Sequence, residues 1–203
     1  MTLDELRRIA AAVAPRRGWD FSQMRDDRDP VPWEYSDVVR RYLRPDDRVL
    51  DVGVGGGETF LALAPSFGSS VGVDPDPAMI EAARENTSAA LAEKVTFIEG
   101  RAEALPVPDT SFDVVLNRHA VVDVAEVVRV VRPGGYFITQ QVSAQNTFNI
   151  TSIFGCGPGM GGQRITPAQE IPTLADAFQE RGCAIVSYAT YNVPQGLCVL
   201  GVW

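Results

Sequence analysis

The stretch Arg48 to Phe60, RVLDVGVGGGETF, constrains this chain more than any other. Val49 to Val52 is a short apolar run around Asp51, rich in β-branched residues, the pattern of a buried parallel strand. Glycines then end it abruptly, and a helical pattern follows. Glycines at 53, 55, 56 and 57 let the backbone turn sharply and let a ligand approach main-chain N–H groups with no Cβ in the way. Those groups fall at the N-terminus of the predicted helix, where they can meet polar atoms of a nucleotide-like ligand. The dinucleotide fingerprint requires glycine at the first, third and sixth positions, which counted from Gly53 are 53, 55 and 58. Glu58 stands at the last of these, so the fingerprint fails and a nicotinamide-dependent oxidoreductase is disfavoured.

Downstream features are placed by their distance from this turn. Ser70 to Val73 reads as a second strand ending at Asp74, 21 residues after Gly53. A carboxylate at that point is where a ribose diol is hydrogen-bonded, two hydroxyl donors meeting two carboxylate oxygens. Asp74 is not needed as a helix cap, because Asp76-Pro77 already supplies a cap and a first-turn proline. A helix from Pro77 to about Leu91 and a third strand from Val95 to Ile98 lead into GRAEALPVPDTSFDVVLNRH. Phe112 to Leu116 within it is the fourth strand, and it delivers Asn117, Arg118 and His119 to the carboxyl edge of the sheet, where open α/β sheets bind ligands. His119 is the only histidine. It can line the pocket or hydrogen-bond structurally, or it can act as general base, since imidazole titrates near neutrality. A helix from Val121 to Val131, a reversal at Arg132-Pro133-Gly134-Gly135 and a fifth strand from Tyr136 to Val142 complete the series.

Asp51-Val-Gly53-Val-Gly55-Gly56-Gly57 resembles motif I of the class I S-adenosylmethionine-dependent methyltransferases, an acidic residue followed by G-x-G-x-G. The 100–119 segment is similar to that family's adenine-binding segment, and EVVRVVRPGGYFI to its helix-to-fifth-strand segment. Together with the Asp74 position, four segments in the family's order cover residues 46 to 142. The resemblance implies a Rossmann-like α/β fold with a seven-stranded, mostly parallel sheet, an antiparallel last strand and helices on both faces. It implies S-adenosylmethionine as cofactor, with S-adenosylhomocysteine as product, held by Asp51, Gly53, Val54, Gly55, Asp74, Pro75, Arg101, Ala102, Glu103 and Asn117. His119 is the candidate catalytic residue. Arg101 departs from the family, where many members have Asp as an acceptor for the adenine amino group. A guanidinium cannot accept, but it can stack on the base, with Glu103 taking the polar contact. By the same resemblance, Asn117 faces the methionine end of the cofactor.

The remaining chain is read from composition and pattern. At 203 residues the protein is expected to form one compact unit, an N-terminal helical arm and lid over 1–45 followed by the cofactor-binding domain over 46–203. A helix is expected over 2–14 and another over about 34–43. After the first lies an irregular stretch over 16–35 containing Trp19, Phe21, Trp33 and Tyr35, whose rings either pack the arm onto the domain or line a lid. Residues 143–168 form a long glycine-rich connection that is an acceptor loop, a phosphate cradle or disordered. A helix over about 170–181 and strands at 184–191 and 197–202 close the chain. The net charge of −8 argues against a broad nucleic-acid footprint, though not against a protein acceptor, and a small molecule is the favoured acceptor. Cys156, Cys183 and Cys198 are too scattered for a disulfide framework or a zinc site, and no metal is expected. With no signal core and no run long enough to span a membrane, a cytoplasmic location is expected. Besides a methyltransferase, a cofactor-binding protein without turnover and a protein or RNA methyltransferase remain open.

Overall fold

A computed structural model describes residues 2–12, 32–142, 171–191 and 195–201, with the side chains of residues 6, 9–12 and 188–201 left aside. The helices are α1 (Leu3–Ala12), α2 (Tyr35–Arg40), α3 (Glu58–Leu63), α4 (Pro77–Asn86), α5 (Val124–Val130) and α6 (Ile171–Gln179), with a 3₁₀ turn at Ala64–Ser66. The strands are β1 (Arg48–Val52), β2 (Ser69–Asp74), β3 (Val95–Glu99), β4 (Phe112–Arg118), β5 (Val131–Val142), β6 (Ala184–Tyr191) and β7 (Gln195–Gly201).

Five strands run parallel in the order β3, β2, β1, β4, β5. Beyond β5, β7 pairs antiparallel to it, and β6 pairs antiparallel to β7. The order reverses between β1 and β4, the neighbours at the switch point where such sheets bind ligands. Register brings the carboxyl ends level: Val52 pairs with Val73 on one side and Asn117 on the other, and Asp74 pairs with Glu99.

Both faces of the sheet are apolar because both are covered, which is why these strands read as continuous hydrophobic runs. Alternate residues point to opposite faces. Leu50, Val52, Val73, Val115 and Phe137 pack with Val127 and Val130 of α5 and Ile171 and Phe178 of α6. Val49, Val114, Leu116 and Ile138 pack with Tyr35 and Val39 of α2, Phe60 and Leu63 of α3, and Ile80 and Ala83 of α4. The rings of Phe137 and Phe178 lie 5.1 Å apart and join the fifth strand to α6. Trp33 and Tyr35 are part of the second cluster, so these two rings pack the arm onto the domain. Trp19 and Phe21 lie outside the described residues, as do Cys156 and the 143–168 connection.

Several boundaries differ from those expected. The helix after β2 stops at Asn86 rather than Leu91, because Thr87 turns extended and its hydroxyl donates to the Ala83 carbonyl at 2.7 Å, a side-chain alternative to the helical ladder. The helix before β5 begins at Val124 rather than Val121, where Asp123 caps it by accepting from the Glu126 N–H at 2.9 Å. Arg132-Pro133-Gly134-Gly135 is not a reversal ahead of the strand. Val131 already pairs with Phe112, and Tyr136 then pairs with Val114, so the four residues between them form a bulge within β5. Gly134 takes φ +80° there, and a Cβ on Gly135 would stand 2.6 Å from the Asp113 carbonyl oxygen.

The Gly135→Ala variant is therefore expected to lose about 1–3 kcal/mol of stability through overpacking against backbone, read as a lower urea midpoint with an unchanged slope. An unaltered midpoint would contradict the packing described for this bulge.

Candidate functional site

The glycine turn between β1 and α3 is held in left-handed backbone, with φ +81° at Gly53, +56° at Gly55 and +79° at Gly57. A Cβ on Gly53 would lie 2.2 Å from the Ala120 Cβ, so any side chain there displaces the segment after β4. The N–H groups of Gly53 and Val54 both donate to the Val73 carbonyl, at 2.8 and 3.1 Å. The Val54 side chain is buried in the core, so its share in any ligand contact belongs to its backbone.

Asp74 completes the turn from the other side. It is 9% exposed; its Oδ2 accepts from the Gly55 N–H at 2.9 Å and its Oδ1 from the Asp76 N–H at 3.0 Å. Each oxygen keeps a second lone pair, so the carboxylate can still receive two hydroxyl donors. Pro75, between the two tied residues, is exposed. Asn86, at the end of α4, donates to the Gly56 carbonyl at 2.9 Å and fastens the turn from a third direction.

Asp51 lies beside this turn on β1, and burial pushes its carboxyl up to about 7, against the pull of Arg118 and with the push of Asp74. Arg118, at the end of β4, stands over the Tyr35 ring with its guanidinium carbon 5.3 Å from the centroid, and donates to the Thr59 hydroxyl at 3.1 Å. Among the described residues the buried Tyr35 hydroxyl has no hydrogen-bond partner. Burial holds it well above the usual tyrosine range, Asp51 adding to the effect and Arg118 opposing it. Sequence reasoning named Tyr35 only as one aromatic of the arm and gave Arg118 no role. The place of Tyr35 in the aromatic stretch over 16–35 was the one available signal.

Asn117 is 1% exposed, and its amide is engaged in the core. Its nitrogen donates to the carbonyls of Val52 and Val121, both at 3.0 Å, and its oxygen accepts from Thr139 and Gln141. The side chain thus binds β1 to β4 at the switch point rather than pointing out of the sheet edge. His119, the next residue but one, is exposed and has φ +56°, an uncommon backbone for a non-glycine residue. Its N–H donates to the Gln140 carbonyl at 2.8 Å, and its Nε2 lies 3.2 Å from the Gln140 side-chain nitrogen.

Arg101 and Glu103 form an exposed ion pair with each other at 3.2 Å, while Ala102 packs half-buried against the core. What fixes this loop comes from α5. Arg129 donates to the carbonyls of Val107 and Leu105 at 2.9 and 3.0 Å, to Asp109 at 2.6 Å, and through two nitrogens to Glu126 at 2.7 Å. Glu126 in turn accepts from the Leu105 N–H at 2.7 Å, and Arg129 holds its carboxyl below the ordinary range. An arginine on a helix face carries no motif, so this brace was not legible in sequence. A second polar recess, lined by Tyr42, Arg44, Asp47, Asp113, Arg132 and Tyr136, lies at the opposite edge of the sheet. Within it Arg132 pairs with Asp113, and Asp47 accepts from the Arg44 backbone N–H. Among the described residues no cluster of His, Cys, Asp or Glu could hold a metal ion, and no helix is long and apolar enough to cross a membrane.

Residues 50–139 match the family described as "Methyltransferase domain". The chain is 39% identical over 102 residues to the "Uncharacterized methyltransferase YcgJ" of Bacillus subtilis, covering 47% of this chain and 40% of that one. It is 35% identical over 123 residues to a demethylmenaquinone methyltransferase of Symbiobacterium thermophilum, covering 55% and 49%. The matched part thus spans less than half the length of either relative. The crystal structure of the YcgJ protein superposes with a TM-score of 0.63 at 21% identity, over 83% of this chain and 97% of that one, a likeness of fold. Over residues 50–139 the chain is thus similar to methyltransferase domains.

The raised carboxyl of Asp51 makes stability depend on pH. Between the ordinary carboxyl value of 3.8 and about 7 the folded chain keeps a proton that the unfolded chain has lost, so this group makes stability fall as pH rises through that window. Asp51→Asn is expected to flatten that part of the melting-temperature profile of the ligand-free protein. An unchanged slope would remove Asp51 as its source.

Proposed function

We propose that the protein transfers the methyl group of S-adenosylmethionine to a small-molecule acceptor by in-line displacement. The observation that carries this reading is Asp74, a buried carboxylate tied to the glycine turn with one lone pair still available on each oxygen. The residues fit the cofactor's chemistry. A side-chain-free turn at Gly53 and Gly55 lies against the switch point, Asp74 suits a ribose diol, and Asp51 sits where a cationic group would favour its ionised form. The unpartnered Tyr35 hydroxyl and the Arg118 guanidinium stand on the same side. When bound, the cofactor supplies an activated methyl on a sulfonium, with a neutral thioether as leaving group.

The chain's own contribution is placement. Asp74 orients the ribose; Gly53, Val54 and Gly55 present backbone; Asp51 faces the amino-acid end; and the 101–103 loop flanks the adenine, with Pro75 beside it. Asn117 serves by holding β1 and β4 together beneath the site. Holding donor and acceptor in line can itself supply on the order of 7–11 kcal/mol. A base is needed only where the acceptor carries a proton, and His119 is the group assigned to it. We take β6 and β7 as the edge that completes a seven-stranded sheet, residues 1–45 as an arm over the 46–203 domain, and the location as cytoplasmic. The names of the relatives and the acidic net charge support a small acceptor over a nucleic acid.

Isothermal titration is expected to show saturable binding of S-adenosylhomocysteine and none of NADH; binding of NADH alone would overturn the class of reaction. Asp74→Ala is expected to weaken S-adenosylhomocysteine binding by about 1.5–3 kcal/mol, roughly 10-fold to 150-fold, and equal affinity would take Asp74 out of the site. With an acceptor in hand, His119→Ala is expected to lower kcat while sparing cofactor affinity. Loss of both together would make His119 a wall of the pocket instead.

A further inference from the structure

His119 is held to Gln140 at two points. Its backbone N–H donates to the Gln140 carbonyl at 2.8 Å, and its ring Nε2 lies 3.2 Å from the Gln140 side-chain nitrogen. The left-handed φ of +56° at His119 is a departure that surrounding structure must hold in place, and such departures gather at functional sites. Gln140 itself is 4% exposed, and its Oε1 lies 3.4 Å from the indole Nε1 of Trp33, just ahead of α2. Which end of a glutamine amide is oxygen is decided by its partners. The Trp33 indole can only donate, so the amide must turn its oxygen to Trp33 and its NH₂ to His119. An NH₂ can only donate, so Nε2 of His119 must accept, and in the neutral ring the proton then sits on Nδ1.

We propose that Gln140, oriented by Trp33, is a positioning residue that fixes His119 as the neutral Nδ1–H tautomer. This rests on the reading of His119 as a site residue. It gives that reading a condition: the Nε2 lone pair is engaged, and His119 takes a proton there only after Gln140 gives it up. The arm and the carboxyl edge of β4 are thereby joined through one amide. A neutral histidine side chain in water favours the proton on Nε2, so the assignment is distinguishable from an unconstrained ring.

Because the chain has a single histidine, selective ¹⁵N-histidine labelling gives one ring to read, and two-bond ¹H–¹⁵N correlation identifies its tautomer at pH 8. The wild-type protein is expected to show predominantly Nδ1–H; predominantly Nε2–H would overturn the proposal. Gln140→Glu leaves only acceptors facing the ring and is expected to put a proton on Nε2. Should that buried carboxylate prevent folding, Trp33→Phe removes the indole donor and is expected to return the ring to the mixture seen in unstructured peptides. A ring in a folded Trp33→Phe variant that keeps the wild-type tautomer would sink the role of Trp33, and one in folded Gln140→Glu that keeps it would sink that of Gln140. Titration of the same samples with S-adenosylhomocysteine reports on the cofactor reading separately, since its failure would leave the tautomer result standing.

Discussion

The Asp74 carboxylate is the contact on which the site geometry depends. Its two oxygens hold the Gly55 and Asp76 N–H groups, so one buried side chain fixes the turn after β1 and the turn after β2 against each other. Hydrogen bonds to a charged acceptor contribute more than neutral ones, and an unmade bond in a buried setting costs the full desolvation of the group left behind. The bonds of Gly53 and Val54 to Val73 and of Asn86 to Gly56 then leave the turn little freedom. Left-handed backbone at three positions and the close approach of Ala120 to Gly53 follow from this tightness. A residue that ordinarily binds ligand also builds the surface against which the ligand would lie.

Charge beside the turn is coupled without being neutralised. Asp51 and Arg118 feel each other's charge, yet among the described residues they form no ion pair and the Tyr35 hydroxyl near both has no hydrogen-bond partner. Burying the Tyr35 hydroxyl without a partner is unfavourable, and proteins retain such an arrangement chiefly where something else completes it. A ligand carrying both an ammonium and a carboxylate would match it. The opposite recess makes the contrast, because Arg132 and Asp113 there pair with each other.

The parts legible in the sequence were those governed by local rules. The β1 run, the glycine turn, Asp74 and the Asp76-Pro77 cap were placed by periodicity and by the backbone demands of glycine and proline, and the mostly parallel sheet was what the family resemblance implied. What escaped was settled by contacts far apart in the chain. The pairing of Val131 with Phe112, which turns Arg132 to Gly135 into a bulge, depends on a neighbour about 20 residues away. Asn117 reads the same in sequence whether it points at a ligand or at Val52 and Thr139, and only the packed sheet gives it the second role. The Arg129 brace on the 105–109 loop and the Trp33 contact with Gln140 are likewise tertiary.

The most direct test of the central claim is a crystal structure of the protein with S-adenosylhomocysteine bound. The account predicts the ribose diol on the Asp74 carboxylate, the adenine beside residues 101–103 and the amino-acid end between Asp51 and Arg118. A ligand seated elsewhere, with Asp74 making only its bonds to Gly55 and Asp76, would contradict it.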